Sequence, residues 1–338
     1  MKRQSVIFSA PGQVTICDES LAEPAPNQVL VQTLVSAISP GTELLVYRGQ
    51  FPEQLPVDDS IVSLAQEFRY PLRYGYSCVG RVVALGAQAE RHWEGRLVFA
   101  FQPHTSHFLA EPQELMPVPT GIEPENAIFL PNMETTVNFC MDGVPLIGER
   151  VAVFGQGIVG LLTVMLLAQF PLDSLVTLDR YPLRRKASLQ AGAHASLDAD
   201  ARDTLEQLRD LQPGGADLVY ELSGSPLALD QAIAAAAFSG RVVVGSWYGK
   251  KRAELDLGGR FHRNRIRLIS SQVSTISPEL SGRWDKKRRF EVAWEMIRRL
   301  QPRRYITHHM EVNDAPAAYR LLDQRPEETI QVVLEYPR

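Results

Sequence analysis

One segment of this 338-residue chain has the pattern of a strand, a glycine turn and a helix in direct succession. This pattern limits the possible folds more than any other feature of the chain. Residues 151–154 (Val-Ala-Val-Phe) are apolar, as in a buried strand, and glycines follow at positions 155, 157 and 160. An apolar stretch of helical length then runs from Ile158 to Phe170. A strand that turns straight into a helix begins a βαβ unit, so this part of the chain predicts a parallel sheet.

The rest of the chain divides into two patterns. Residues 1 to about 120 are rich in short strand candidates such as Val29–Val35, with many prolines and glycines between them. From about residue 123, candidate strands and helices alternate, as expected for repeated βαβ units. Residues 50–70 fit neither pattern.

Composition excludes several classes of protein. The net charge is −4, with 35 basic and 39 acidic residues, which predicts neither a nucleic-acid partner nor a membrane partner. The three cysteines form no CxxC pair, and no apolar run is long enough to span a bilayer or to act as a leader. We therefore expect a cytoplasmic protein without disulfides.

The glycine turn has the spacing of a dinucleotide-binding fingerprint. Gly155 permits the tight turn, Gly157 lets a pyrophosphate approach the helix N-terminus, and Gly160 lets helix and strand pack closely. Asp179 follows 19 residues after Gly160, at the end of the next strand candidate, where a carboxylate binds the ribose hydroxyls of NAD. The predicted cofactor-binding residues are Gly155, Gln156, Gly157, Ile158, Val159, Gly160, Asp179, Arg180, Ser223 and Trp247.

The choice between NAD and NADP depends on the residues that follow this strand. The carboxylate of Asp179 favours NAD because it repels the 2′-phosphate of NADP. Arg180, Arg184 and Arg185 could instead bind that phosphate, although arginines in such a run are also typical of a solvated helix face. We predict NAD, and NADP is not excluded.

With these features, the chain resembles the medium-chain dehydrogenase/reductase superfamily over nearly its whole length. Within it, the chain is similar to the bacteriochlorophyllide a dehydrogenase branch and its uncharacterised relatives. The strings that carry this second resemblance are Ser39-Pro40-Gly41-Thr42-Glu43, Asn132-Met133-Glu134-Thr135, Gly245-Ser246-Trp247-Tyr248-Gly249, Phe261-His262-Arg263-Asn264-Arg265 and Ser270-Ser271-Gln272-Val273-Ser274.

The resemblance implies an α/β protein with two domains and a substrate cleft between them. Residues 1–123 and 273–338 would form a GroES-like β-rich catalytic domain. Residues 124–272 would form an inserted Rossmann domain with a doubly wound parallel sheet. The named branch oxidises a hydroxyethyl group on a chlorin ring with NAD, which implies a bulky, flat small-molecule substrate. The superfamily is usually dimeric or tetrameric, so we expect a homodimer, with Val242–Val244 and the residues after them as a candidate interface.

Zinc-dependent members of the superfamily carry a cysteine where this chain has Ser39-Pro40. They carry a histidine at the position of Tyr76 and usually a glutamate at Ser77. The resemblance places the third ligand near Pro131–Glu134, and the cysteine-rich lobe of a structural zinc is missing. Ser, Pro and Tyr are poor zinc ligands, so we predict neither a catalytic nor a structural zinc. His104 and His107 could suggest a metal, but a pair in a loop with ordinary hydrogen bonds is the simpler interpretation.

Without zinc, alcohol oxidation needs a base for the hydroxyl proton and a donor for the developing alkoxide. Tyr76 stands at the position of the missing ligand, and Thr42 matches the residue that relays protons in zinc-dependent relatives. Glu134 and Glu43 are the candidate carboxylate bases, although Glu43 resembles a structural acid of the family. Tyr76 could equally be a core tyrosine, and Glu134 could equally serve as helix N-terminal charge.

Three functions remain open from the sequence. The first is a zinc-independent, NAD(P)-linked dehydrogenase that acts on a secondary alcohol or ketone of a bulky substrate. The second is an NADPH-dependent quinone or enone reductase, which Asp179 disfavours. The third is a non-catalytic nucleotide-binding redox sensor. Trp247 could stack on the nicotinamide or on a flat substrate in the first two cases, or simply pack between domains.

Overall fold

A computed structural model describes residues 1–52, 62–64 and 67–337. It divides into two compact units, one made of residues 1–131 and 297–338 and the other of residues 132–296. Most of the segment that fits no sequence pattern, residues 53–61, 65 and 66, lies outside the described residues.

The first unit is built on strands, which its residues favour through alternating apolar positions. Its strands are β1 (Lys2–Ala10), β2 (Gln13–Ser20), β3 (Val29–Ala37), β4 (Cys78–Leu85), β5 (Leu97–Ala100), β6 (His107–Ala110), β7 (Met116–Pro117), β14 (Ile306–Glu311) and β15 (Gln331–Glu335). Its helices are α1 (Pro40–Tyr47), α2 (Pro124–Ala127) and α9 (Ala315–Gln324). Helix α3 (Leu130–Gly143) begins here and α8 (Lys286–Leu300) ends here.

A seven-stranded sheet organises this unit. Six of its strands run in the order β14-β15-β3-β4-β5-β7, and β6 pairs with β3. All neighbours are antiparallel except β14 and β15, so the C-terminal strands complete a sheet that the N-terminal strands begin. The larger core packs α1 and α9 against strands of both chain ends, with Phe8, Ile38 and Tyr319 fully buried.

The second unit alternates strands and helices. Its strands are β8 (Arg150–Phe154), β9 (Ser174–Asp179), β10 (Ala195–Asp198), β11 (Ala216–Glu221), β12 (Ala236–Val244) and β13 (Arg267–Ser270). Its further helices are α4 (Ile158–Leu167), α5 (Pro182–Ala191), α6 (Thr204–Leu211) and α7 (Pro226–Ala235).

The six strands of the second unit form one parallel sheet in the order β10-β9-β8-β11-β12-β13. The chain order reverses between β8 and β11, and ligands bind such sheets at the carboxyl ends of the strands at that point. Buried apolar residues of these strands and of α7 form the core. The predicted combination of a GroES-like β-rich domain and a Rossmann sheet is confirmed.

The division between the units lies at Pro131/Asn132 and Met296/Ile297, and our predicted bounds were 123/124 and 272/273. Helices α2 and α3 follow each other closely and are separated by Ile128 and Phe129. No described helix has the length and apolar character that crossing a bilayer requires.

Val242–Val244, which begin the candidate interface, do not lie at the edge of the sheet. Strand β12 carries these residues, lies between β11 and β13, and buries Val242 and Val243 completely. The edge is β13, where Leu268 is 38% exposed.

Candidate functional site

The glycine turn lies at the switch point of the parallel sheet and has little room for side chains. Gly155 follows β8 with a φ of +88°, and an added Cβ would lie 2.6 Å from Ser223, which follows β11. A Cβ on Gly160 would lie 2.0 Å from the carbonyl oxygen of Gly155. Both positions therefore require glycine, one for conformation and contact and the other for close packing of α4 on the turn.

Gly157 differs from these two glycines because open space surrounds it. It is the N-cap residue of α4, has no side-chain cap, and an added Cβ would have no heavy atom within 4 Å. The first amide groups of a helix have no partner within the helix, and they favour an anion there. The turn thus leaves a space for phosphate at the N-terminus of α4.

Asp179 ends β9 and is joined to the same turn. Its two carboxylate oxygens accept hydrogen bonds from the backbone N–H groups of Gln156, at 2.7 Å, and of Tyr181, at 2.8 Å. Each oxygen keeps a further lone pair, which a ribose hydroxyl could use. The buried side chain of Gln156 donates to Val153, and its carbonyl oxygen has no hydrogen-bond partner among the described residues.

The three arginines after β9 each contact a group of their own unit. Arg180 pairs with Asp200 at 3.2 Å, and Arg185 pairs with Asp198 at 3.2 Å and donates to two carbonyl groups of the preceding turn. Arg184 lies over the ring of Tyr181, with its guanidinium carbon 4.9 Å from the ring centroid. Arg180 is exposed, whereas Arg184 and Arg185 are half-buried, so the run is only partly a solvated face.

Ser223 takes part in a polar cluster at the end of β11. Its backbone N–H and its hydroxyl both donate to the buried carboxylate of Glu221, which also accepts a 2.6 Å bond from the Tyr248 hydroxyl. Burial, followed by the nearby Glu221 carboxylate, raises the pKa of Tyr248, so this hydroxyl keeps its proton and remains a donor. Trp247 precedes this tyrosine and is 40% exposed.

The residues of the second unit therefore fit a dinucleotide. The turn offers uncapped amides and an open space at Gly157 for the pyrophosphate, and Asp179 offers acceptors for a ribose. All ten predicted cofactor-binding residues lie in this unit, at or after the ends of β8, β9, β11 and β12.

Tyr76 and Thr42 lie together in the first unit. The Tyr76 hydroxyl donates to the Thr42 hydroxyl across 3.4 Å, which is a long hydrogen bond. Thr42 is in the first turn of α1, and Tyr76 lies just before β4, packed edge-on against Tyr74. Tyr76 is partly exposed, so the structure brings two of the predicted catalytic hydroxyls together at an accessible place.

Glu43 is on the same helix as Thr42 but points into the core. It is fully buried, and one oxygen accepts a 2.7 Å hydrogen bond from the backbone N–H of Ser39. The other oxygen is within 3.0 Å of Nε2 of His104 and also accepts from the Tyr319 hydroxyl of α9. A buried carboxylate needs such donors to remain in the core, so Glu43 is a structural group that fixes the start of α1.

The same network continues beyond His104. Its Nδ1 atom lies 2.7 Å from the Ser36 hydroxyl, which lies 2.9 Å from the hydroxyl of Tyr336. Ser36 and His104 are fully buried, and Tyr336 is 5% exposed. Sequence reasoning missed these contacts, because the members are up to 300 positions apart and a histidine in a proline-flanked loop suggested ordinary loop contacts.

His104 and His107 have different surroundings. His104 lies in the network around Glu43, whereas His107 is half-buried, contacts Ser106 at 3.1 Å, and has its pKa lowered by burial. Among the described residues, neither belongs to a group of three metal-ligand side chains.

Glu134 lies in the second unit and is held by Arg289 of α8. Nη2 and Nε of Arg289 donate to the same oxygen of Glu134, at 2.7 and 3.1 Å, and Nη2 also donates to the carbonyl of Val273. Nη1 donates to Asn138 and to the carbonyl of Thr275. Burial raises the pKa of Glu134, and the Arg289 charge opposes this rise. Arg289 is completely buried, although it ends a run of four basic residues, and such runs usually lie on a solvated helix face.

The positions that the sequence matches to zinc ligands carry side chains that have no ligand atom or have another hydrogen-bond partner. Pro40 has no side-chain donor and is the first residue of α1. Ser77 is buried and its hydroxyl donates to the carbonyl of Ile128 at 2.5 Å. Gln331, the first residue of β15, donates from its amide to the carbonyl groups of Ile38 and Val332.

Comparison with known proteins shows which proteins the chain resembles. Residues 159–287 match the sequence family described as zinc-binding dehydrogenase. The D-guloside 3-dehydrogenase of Escherichia coli K12 is 22% identical to this chain over 349 aligned positions, which cover 97% of this chain and 99% of that protein. The chain is therefore similar to zinc-type, alcohol dehydrogenase-like proteins.

Solved structures of low identity share the fold of this chain. A zinc-binding dehydrogenase from Sinorhizobium meliloti 1021 bound to NADP superposes with a TM-score of 0.78 at 18% identity, covering 99% of both chains. An alcohol dehydrogenase from Escherichia coli CFT073 complexed with NADH superposes with a TM-score of 0.79 at 17% identity, also covering 99% of both chains.

Proposed function

We propose that this dehydrogenase transfers a hydride between a secondary alcohol or its ketone and a nicotinamide dinucleotide, with no catalytic zinc. The observation that carries the proposal is the glycine turn with Asp179, whose geometry suits a dinucleotide. The structural neighbours bound to NADP and NADH support the same class of cofactor.

NAD is the preferred cofactor in this proposal. The carboxylate of Asp179 would face the 2′-position of the ribose, where the phosphate of NADP adds negative charge. The three neighbouring arginines already contact groups of their own unit, which supports the preference for NAD.

Tyr76 and Thr42 are the groups proposed to act on the substrate oxygen. When bound, a nicotinamide would supply hydride acceptance or donation at C4, so that a secondary alcohol and NAD+ become the ketone, NADH and a proton released to water. The Tyr76 hydroxyl would hold the substrate oxygen by a hydrogen bond, and Thr42 would orient that hydroxyl through the bond between them. Glu43 and Glu134 are not assigned the base, because their carboxylates are already held by His104, Tyr319 and Arg289.

The proposal that no zinc takes part rests on the chemistry of the side chains present. Pro40 offers no ligand atom, and the hydroxyl groups of Ser77 and Tyr76 are poor ligands for zinc at neutral pH. No step is therefore assigned to a metal.

The relatives favour a secondary alcohol as substrate. D-guloside 3-dehydrogenase is named for oxidation at carbon 3 of a sugar, and a ring hydroxyl at that position is a secondary alcohol. The hydroxyethyl group of a chlorin is also a secondary alcohol, and only the sequence resemblance supports that larger, flat substrate. Both belong in the first substrate panel.

The test is formation of NADH from NAD by chelator-washed protein offered glycosides, polyols, amino alcohols and a hydroxyethyl chlorin. We expect turnover of at least one secondary alcohol, and we expect Tyr76→Phe to lower kcat by about 10²-fold or more. Enone reduction with NADPH and no alcohol oxidation would favour a quinone or enone reductase. Activity that is lost on chelation and restored by zinc would contradict the zinc-independent reaction.

We also propose a homodimer that forms along the free edge of the parallel sheet. Strand β13 ends the sheet, and an unpaired edge strand can bind the same strand of a second copy. Large apolar side chains near it, Leu268 and Phe238, are 38% and 67% exposed, which supports this surface.

A further inference from the structure

Three potential metal ligands converge on the first unit, away from the residues proposed to act on the substrate. They are Glu125 of α2, His309 of β14 and Glu335 of β15. Nδ1 of His309 lies 2.8 Å from a carboxylate oxygen of Glu335 and 4.0 Å from one of Glu125, and the ligand atoms all lie within 4.8 Å of one another. Ligands around a tetrahedral zinc stand about 3.3–3.5 Å apart, which lies inside this range.

The backbone holds the three residues at these positions. Strands β14 and β15 are hydrogen-bonded neighbours, with His309 opposite Val333, two residues before Glu335. The buried Asn126, next to Glu125, bonds to the side chain of Gln301 at 2.8 Å and to the backbone N–H of Arg303 at 3.0 Å. Helix α2 is thereby tied to the segment that leads into β14, so the three ligands come from connected elements.

The charges of the group suit a divalent cation better than an ion pair. One imidazolium can balance one carboxylate, and here two carboxylates face the same ring. A divalent metal held by a neutral imidazole and two carboxylates balances both negative charges. A pocket of about 750 Å³ is lined by Glu125 and Glu335 together with Arg81 and Arg303, so the two carboxylates border space that water can enter.

We propose that Glu125, His309 and Glu335 bind a divalent transition metal such as Zn²⁺ and join α2 to the two C-terminal strands. The site is separate from the proposed catalytic groups, so zinc could be present in this dehydrogenase without taking part in its reaction. Zinc content alone would then say nothing about the mechanism.

The experiment measures binding of ZnCl2 to chelator-washed full-length protein by isothermal titration calorimetry, together with the thermal midpoint of unfolding. We expect one zinc per chain and a higher thermal midpoint with zinc. His309→Ala, Glu125→Gln and Glu335→Gln should each weaken binding by more than about tenfold, because each removes a direct ligand. Alcohol turnover should be the same in His309→Ala as in the parent, which separates this site from the proposed function.

The matched control is His92→Ala. His92 and Glu90 form another exposed histidine–carboxylate pair at 2.9 Å, but among the described residues they do not belong to a group of three ligands. This variant should bind zinc like the parent. X-ray absorption of the zinc-loaded protein should show nitrogen and oxygen ligands with one imidazole and no sulfur. The absence of zinc binding, or binding that the three ligand variants leave unchanged, would overturn the proposal.

Discussion

At the scale of single residues, Glu43 shows how this chain uses a buried charge. Its carboxylate accepts hydrogen bonds from Ser39, His104 and Tyr319, with no access to water. An unsatisfied buried donor costs more than an average hydrogen bond contributes, so the network should be sensitive to changes at its centre.

Replacing Glu43 with Gln should lower the free energy of unfolding by about 2–3 kcal/mol, because an amide group would face donors that a carboxylate accepts. Tyr319→Phe removes only one donor and should cost about 1–2 kcal/mol. Urea denaturation of both variants measures the difference. A Glu43→Gln protein as stable as the parent would show that the network contributes little.

His107 should make the stability of the folded protein depend on pH. Burial lowers its pKa from the usual 6.5, so the unfolded chain takes up a proton at a higher pH than the folded protein does. The stability associated with His107 is complete above about pH 6.5 and is lost as the pH falls through the lowered value. Thermal midpoints between pH 5 and 8 should fall less steeply in His107→Gln than in the parent, and equal slopes would contradict this role.

Asp179 should determine the preference of the protein for NADH over NADPH. Asp179→Ser removes the negative charge near the 2′-position, so the ratio of the dissociation constants for NADPH and NADH should fall by about tenfold or more. Fluorescence titration with both cofactors measures this ratio. Arg180→Ala, which removes a positive charge at the next residue, is the control and should not shift the ratio toward NADPH. Tighter binding of NADPH than NADH by the parent protein would contradict the preference for NAD.

At the scale of elements, the pair Glu134–Arg289 connects two helices that are far apart in the sequence. Arg289 of α8 also holds Asn138 of α3 and two carbonyl groups between residues 273 and 275, so one guanidinium fixes three segments of the second unit. A buried charge with one partner removed is much less stable than the complete pair.

Glu134→Leu or Arg289→Met alone should each cost about 3–5 kcal/mol, because each leaves a buried charge without its partner. The double variant should lose clearly less than the sum of the two, since both charges are gone. Denaturant unfolding gives the three values, and additive losses would argue against direct coupling. Turnover of folded Glu134→Gln decides separately whether Glu134 also acts as a base.

At the scale of the whole molecule, the exposed edge of the six-stranded sheet carries the proposed dimer. Leu268→Glu places a charge on β13 and should shift the protein from dimer to monomer in sedimentation experiments. Leu189→Glu is the control, because Leu189 is 48% exposed on α5 and is distant in sequence from the edge strand. A monomeric parent protein, or a Leu268→Glu variant that stays dimeric, would rule out this edge.

The sequence by itself determined the parallel sheet and the dinucleotide turn, because these depend on local patterns. A buried strand, glycines at fixed spacing and an aspartate at the end of the next strand have conformational requirements that few other residues meet. The positions of Gly155, Gly160 and Asp179 could therefore be predicted without a structure, and the close contacts at the two glycines agree with their predicted roles in the turn and in helix packing.

Only the tertiary structure decided which polar side chains are buried and hydrogen-bonded to partners in the interior. Glu43 meets Tyr319, 276 positions away, and Glu134 meets Arg289, 155 positions away. A carboxylate on a helix looks the same in sequence whether it faces a substrate, water or a buried partner. Burial and long-range pairing make the difference, and these arise only when distant segments pack together.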